Sequence, residues 1–208
     1  MLDTSVLDRF KGFWQGVMLA PVVNLFARLG ISPDAVTLVG TVGVSAGALV
    51  FFPQGMLWEG VLVITAFVFS DLVDGHMARL SGTSSKWGAF LDSTLDRFGD
   101  AAIFGGLAMY YVGPGESDRL AALALYCLVM GSVTSYARAR AESLGMEAKG
   151  GIAERADRLV AILVMTGLSA IFDVPVLIPV TLGLLAVAST VTVVQRILTV
   201  RSQAFAAP

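Results

Sequence analysis

DLVDGHMARLSGTSSKWGAFLDSTLD, residues 71–96, is the stretch whose reading decides how this chain folds and what it handles. It joins the end of one apolar run to the start of the next and places carboxylates at Asp71, Asp74, Asp92 and Asp96. Within each pair the acids are three or four residues apart, so on a helix both project from one face. An acid near the middle of a bilayer costs about 2.5–3.5 kcal/mol, and less toward the interface. Four uncompensated acids would therefore cost on the order of 10 kcal/mol if placed deep. Arg79 and Arg97 supply two opposite charges, too few for four acids, and Asp100 continues the same face one turn further. Hard divalent cations with oxygen ligands neutralise such a cluster better. Two ions bridged by carboxylates from two helices would leave positions open for phosphate oxygens. Gly75, Ala78 and Gly88 lack bulk and let helices and a ligand approach closely.

The surroundings of this stretch are those of a membrane protein. Of 208 residues, 56% are hydrophobic and 14% charged, against about 45–50% and 25% in a soluble domain. Mean hydropathy is +0.78. A net charge of -2 gives no footing for nucleic acid. Cys127 is the single cysteine, so no internal disulfide framework exists.

Apolar runs at about 35–52, 57–78, 90–113, 119–137, 158–173 and 176–198 predict an all-α integral membrane protein with six transmembrane helices in one domain. Ser32-Pro33-Asp34 reads as a helix start, with a cap, a proline in the first turn and an acid near the positive end of the dipole. Phe52-Pro53-Gln54-Gly55 and Gly113-Pro114-Gly115 read as turns, and Asp173-Val174-Pro175 separates the last two runs. Leu7, Phe10, Phe13, Trp14 and Val17 fall at helical spacing, which predicts an amphipathic interfacial helix within residues 1–30 rather than a signal peptide. On this arrangement 13 of the 14 basic residues fall on one side, with Arg119 alone opposite. The positive-inside rule then puts both termini and the acidic cluster on the cytoplasmic face of the cell membrane.

Residues 71–96 match the pattern D-x2-D-G-x2-A-R-x8-G-x3-D-x3-D at every fixed position. This resembles the signature of the CDP-alcohol phosphatidyltransferase family, which transfers a phosphatidyl group from CDP-diacylglycerol to an alcohol. The resemblance implies a homodimer with two Mg²⁺ or Mn²⁺ ions per active site. Asp71, Asp74 and Asp92 would hold one ion, and Asp71, Asp92 and Asp96 the other, with Asp96 also the general base. Gly75, Ala78, Arg79 and Ser85 would contact the cytidine diphosphate head, with Asp34 and Thr37 closing the pocket. Asp34 stands where the family often has asparagine. His76 occupies a variable position of the pattern and reads as a helix-surface residue.

The signature leaves the acceptor alcohol open. A second basic concentration lies around 132–158, and Arg138, Arg158 and Arg196 fall near ends of apolar runs. Guanidinium groups bind phosphate in bidentate fashion, so an acceptor already carrying phosphate would account for them; cytoplasmic loop charge that fixes topology is the plainer account. Over residues 20–200 the chain is similar to the actinobacterial branch of the family that makes phosphatidylinositol phosphate, on Ser32-Pro33-Asp34, Ser135-Tyr136, Ala139-Arg140-Ala141-Glu142, Gly150-Gly151, Glu154-Arg155 and Gln195-Arg196. That similarity implies inositol 1-phosphate as acceptor, held by Ser135, Arg138, Arg140, Arg155, Arg158 and Arg196. Arg138 replaces an expected lysine, and Ala156 an expected proline. Glycerol 3-phosphate is the alternative acceptor. A divalent-cation transporter is the alternative from another class, since such proteins also carry intramembrane acids.

Overall fold

The computed structural model describes residues 32–80 and 85–206, with only the backbone described over 69–80. The interfacial helix expected within residues 1–30 lies outside the described residues. Among the described residues the chain is helical throughout: α1 (Pro33–Ala46), α2 (Leu57–Leu80), α3 (Lys86–Val112), α4 (Asp118–Ser143), α5 (Arg155–Phe172) and α6 (Leu177–Ala206). Each of the six expected apolar runs overlaps one helix, the first running on past Ala46 through the turns that end at Gln54. Among the described residues three stretches are long and apolar enough to cross a membrane, Pro33–Gln54, Asp118–Ser143 and Leu177–Ala206, and Leu57–Val68 is a shorter apolar stretch.

The helix boundaries follow local chemistry. Ser32 Oγ accepts the Ala35 N–H at 3.2 Å, so the expected cap forms and Pro33 opens α1. Beyond Ala46 the helix widens into a π turn over Gly47–Phe51, tightens into a 3₁₀ turn over Phe52–Gln54, and closes at Gly55 with φ of 77°. Ser85 Oγ accepts the Gly88 N–H at 2.9 Å, which starts α3 at Lys86, a turn before the expected 90. At the other end α4 runs to Ser143 and α6 to Ala206, beyond the expected 137 and 198. Apolar periodicity marks where a helix is greasy, and these extensions are polar. Arg196 accordingly sits ten residues inside α6 rather than at its end.

The described residues of Met1–Ser45 and Val63–Gly99 form one compact unit, and those of Ala46–Leu62 and Asp100–Pro208 another. In the first, the Phe67 ring occupies the place a Cβ on Gly43 would need. In the second, the π turn brings the Ala48 carbonyl against Gly106 of α3, where an added Cβ would stand 2.7 Å from its oxygen. Phe52, fully buried, packs beside the same glycine and against Gly60 of α2. α6 packs against both α4 and α5, with Ile162, Ile178 and Leu182 buried among them.

The α4–α5 connection is strapped to α6. Thr192 Oγ1 accepts the N–H groups of Ile152 (3.1 Å) and Ala153 (3.2 Å) and donates to the Ala188 carbonyl (2.8 Å). Gln203 spans Glu147, its amide nitrogen donating to the carbonyl at 2.6 Å and its amide oxygen accepting the N–H at 2.9 Å. Gly151 has φ of 137°, and a Cβ there would overlap Thr192 Cγ2. Strain and overlap together predict that Gly151→Ala destabilises by roughly 3 kcal/mol, read as a lowered Tm in detergent. Thr192→Val keeps the shape but strands two loop donors, at about 1–3 kcal/mol each. Faster proteolysis within 146–154 would report that loosening; an unchanged rate would show that the strap holds without Thr192.

Candidate active site

In the first unit, the starts of α1 and α3 meet. Asp34 Oδ2 accepts the Trp87 indole N–H at 3.0 Å. A Cβ on Gly88 would lie 3.4 Å from Ser85 Oγ and 3.9 Å from Asp34 Oδ1. Thr37, one turn beyond Pro33, donates to its carbonyl at 3.1 Å. Asp34 and Ser85, expected to touch a nucleotide head, thus stand near one another. Two helix starts placed together add backbone N–H groups and positive dipole ends suited to an anion. Trp87 is a residue the sequence reading missed. It is exposed, tilted against Phe90 with ring centroids 5.9 Å apart, and only its partnership with Asp34 singles it out.

α3 carries Asp92 and Asp96 one turn apart, Asp92 exposed and Asp96 partly covered. Asp96 Oδ2 lies 3.6 Å from Arg97 Nη2. Asp71, Asp74, Gly75, Ala78 and Arg79 fall on α2, and their side chains lie outside the described residues. Among the described residues no three His, Cys, Asp or Glu side chains converge as a metal site. The donor chemistry nevertheless fits. Asp92 and Asp96 bring two carboxylates to one helix face, all-oxygen ligands of the kind Mg²⁺ and Mn²⁺ take.

The second unit gathers the basic residues. Arg155, in the first turn of α5, donates from Nε to Asp100 Oδ1 of α3 at 3.0 Å. Arg158, one turn on, has Nη2 3.9 Å from Asp100 Oδ2 and donates from Nη1 to the Ala153 carbonyl at 3.1 Å. Its guanidinium lies over Gly131 of α4, where a Cβ would come within 3.1 Å of it. Arg196 donates from Nε to the Gly150 carbonyl (3.1 Å) and from Nη1 to the Thr134 carbonyl (2.7 Å). Ser135 donates to the Gly131 carbonyl at 3.2 Å. Arg138 and Arg140 are exposed on the last turns of α4, where Arg138 pairs with Glu142 at 2.9 Å and Arg140 donates to Ser143 at 3.3 Å.

The structure therefore links Arg155 and Arg158 through one carboxylate, and ties Arg196 to the loop that precedes them. Arg158 and Arg196 are almost wholly buried, a degree of enclosure that loop charge serving topology would not need. Taken by themselves, these three side chains carry two positive charges and one negative. The sequence offered no role for Asp100 beyond continuing the acidic face. Its partners come from a helix some 55 residues away, which spacing alone does not reveal.

Comparison with known proteins places these features. The family model for CDP-alcohol phosphatidyltransferases matches residues 30–194. The phosphatidylinositol phosphate synthase of Streptomyces avermitilis is 53% identical, covering 97% of this chain and 85% of its own length. That of Cutibacterium acnes is 50% identical, covering 94% and 98%. The crystal structure of the Mycobacterium tuberculosis phosphatidylinositol phosphate synthase with CDP-DAG bound superimposes with a TM-score of 0.84 at 42% identity, covering 88% of this chain and 92% of that one. The same enzyme in complex with manganese and citrate gives 0.82 at 42% identity, covering 88% of each chain. This chain belongs to the CDP-alcohol phosphatidyltransferase family.

Proposed function

We propose that this enzyme transfers the phosphatidyl group of CDP-diacylglycerol to inositol 1-phosphate, releasing CMP and phosphatidylinositol phosphate. The observation that carries the acceptor is the basic group of the second unit, in which Arg155 and Arg158 share Asp100 while Arg158 and Arg196 hold carbonyls of the loop ahead of α5. Free inositol would not need it. Names of relatives at 50–53% identity support the same reading.

In this reading Asp71, Asp74, Asp92 and Asp96 hold two divalent ions. Bound metal would supply charge stabilisation for the pyrophosphate and the departing CMP. The manganese found with the mycobacterial relative supports that use. Asp34, Thr37, Gly75, Ala78, Arg79 and Ser85 bind the cytidine diphosphate head. Asp96 orients the acceptor hydroxyl and takes its proton as the new P–O bond forms. Ser135, Arg138, Arg140, Arg155, Arg158 and Arg196 hold the acceptor phosphate. Arg196 commits two of its five N–H donors to carbonyls, which fixes its plane and leaves donors over for a phosphate edge.

All six helices cross the cell membrane, both termini and the active site face the cytoplasm, and two copies form the working unit. The three long apolar helices and the one-sided distribution of basic residues support this placement. Incubating purified protein with CDP-diacylglycerol, Mg²⁺ and inositol 1-phosphate should yield CMP and a lipid of the mass of phosphatidylinositol phosphate. Chelation should stop the reaction, and Mg²⁺ or Mn²⁺ should restore it. Turnover that survives full chelation would remove the metal from the account.

A further inference from the structure

Asp100 lies outside the metal and nucleotide sets, yet it is 4% exposed and faces two arginines. A lone buried carboxylate is costly, and so is removing one partner of a buried ion pair. Simple neutralisation would need one cation. Here a single carboxylate takes a charge-assisted hydrogen bond at 3.0 Å from the Nε of Arg155 while its second oxygen faces Arg158 at 3.9 Å. The two arginines are not equivalent. The Arg158 side chain is 2% exposed, spans from Asp100 to the Ala153 carbonyl and rests on Gly131. The Arg155 side chain keeps 30% exposure. An acceptor at Nε fixes the plane of the guanidinium fork, because the group can no longer swing about its last torsions without breaking that bond.

We infer that Asp100 is a positioning residue for the acceptor phosphate: it aims the exposed part of Arg155, and through Arg158 it holds the 150–154 loop from which α5 starts. The inference rests on the phosphate-acceptor reading above. It makes Arg155 the exposed, phosphate-facing member of the acceptor set and gives Arg158, of the same set, the added task of holding the loop. Fixing the fork in advance lowers the entropy lost when phosphate binds. Asp100 thereby acts on acceptor affinity rather than on the bond-making step.

The test is a double-mutant cycle on the full-length protein with Asp100→Asn and Arg155→Ala, following CMP release. For Asp100→Asn the inositol 1-phosphate KM should rise at least 10-fold, with kcat within threefold and the CDP-diacylglycerol KM within twofold of wild type. Asp100→Glu, which restores the charge, should recover part of the acceptor KM. The rise in acceptor KM of the double variant should fall clearly short of the product of the two single effects, since part of what Asp100 does runs through Arg155. Multiplying effects, or a loss confined to kcat, would overturn the inference. If Asp100→Asn does not fold, Arg155→Lys reads the same claim, because lysine lacks the fork that Asp100 aims. An unchanged acceptor KM there overturns it too. Wild-type protein that turns over only glycerol 3-phosphate would sink the acceptor reading, and the cycle run on that phosphate would still decide the role of Asp100.

Discussion

Asp96→Asn is expected to lower kcat by about 10³-fold or more while CDP-diacylglycerol still binds. The amide keeps size and polarity but cannot take a proton, and general-base contributions alone run to about 10²–10⁴-fold. On the proposed assignment, losing a charged metal ligand would add to this. Asp96 and Asp92 share one face of α3, whereas Asp34 and Ser85, assigned to the nucleotide head, stand at the starts of α1 and α3. Binding and turnover should therefore separate. Ligand-induced stabilisation by CDP-diacylglycerol, measured as a Tm shift alongside CMP release, makes the comparison. Turnover above a tenth of wild type would contradict the assignment of Asp96 as base.

Arg196→Ala carries the second large effect. The arginine is 4% exposed and holds two carbonyls on separate elements, Thr134 on α4 and Gly150 in the loop ahead of α5. Hydrogen bonds from a charged group contribute about 1.5–3 kcal/mol each. We expect the acceptor KM to rise by about 10–100-fold, one such contact expressed as affinity, and the Tm to fall. The CDP-diacylglycerol KM should change much less. Arg196→Lys should lie between, since one ammonium keeps the charge but does not reproduce the fork that meets both carbonyls. A larger shift in the lipid-nucleotide KM than in the acceptor KM would mean that the basic group serves the nucleotide.

What the sequence disclosed and what it hid follow from different kinds of signal. Six helices were legible because each is an apolar run closed by local punctuation, and Ser32-Pro33 and Gly55 behave as that punctuation requires. The membership of residues 71–96 was legible because eight fixed positions lie within one short window. Polar extensions of α4 and α6 were hidden, since apolar periodicity stops before the helix does. So were the partners of Asp100 and Asp34. The Asp100–Arg155 and Asp34–Trp87 bonds join residues 55 and 53 positions apart, where no pattern of spacing links them. The basic residues could be counted from the chain. Which of them are buried, and what carbonyls they hold, depends on the packing of α6 against α4 and α5.

The most direct test of the central claim is acceptor choice. Purified protein is supplied with CDP-diacylglycerol and Mg²⁺, and CMP release is followed with inositol 1-phosphate, free inositol or glycerol 3-phosphate as the sole acceptor. Release with inositol 1-phosphate and not with the other two is the predicted result. Release with glycerol 3-phosphate alone would contradict the acceptor assignment, and no release from folded protein with any of the three would contradict the transferase account itself.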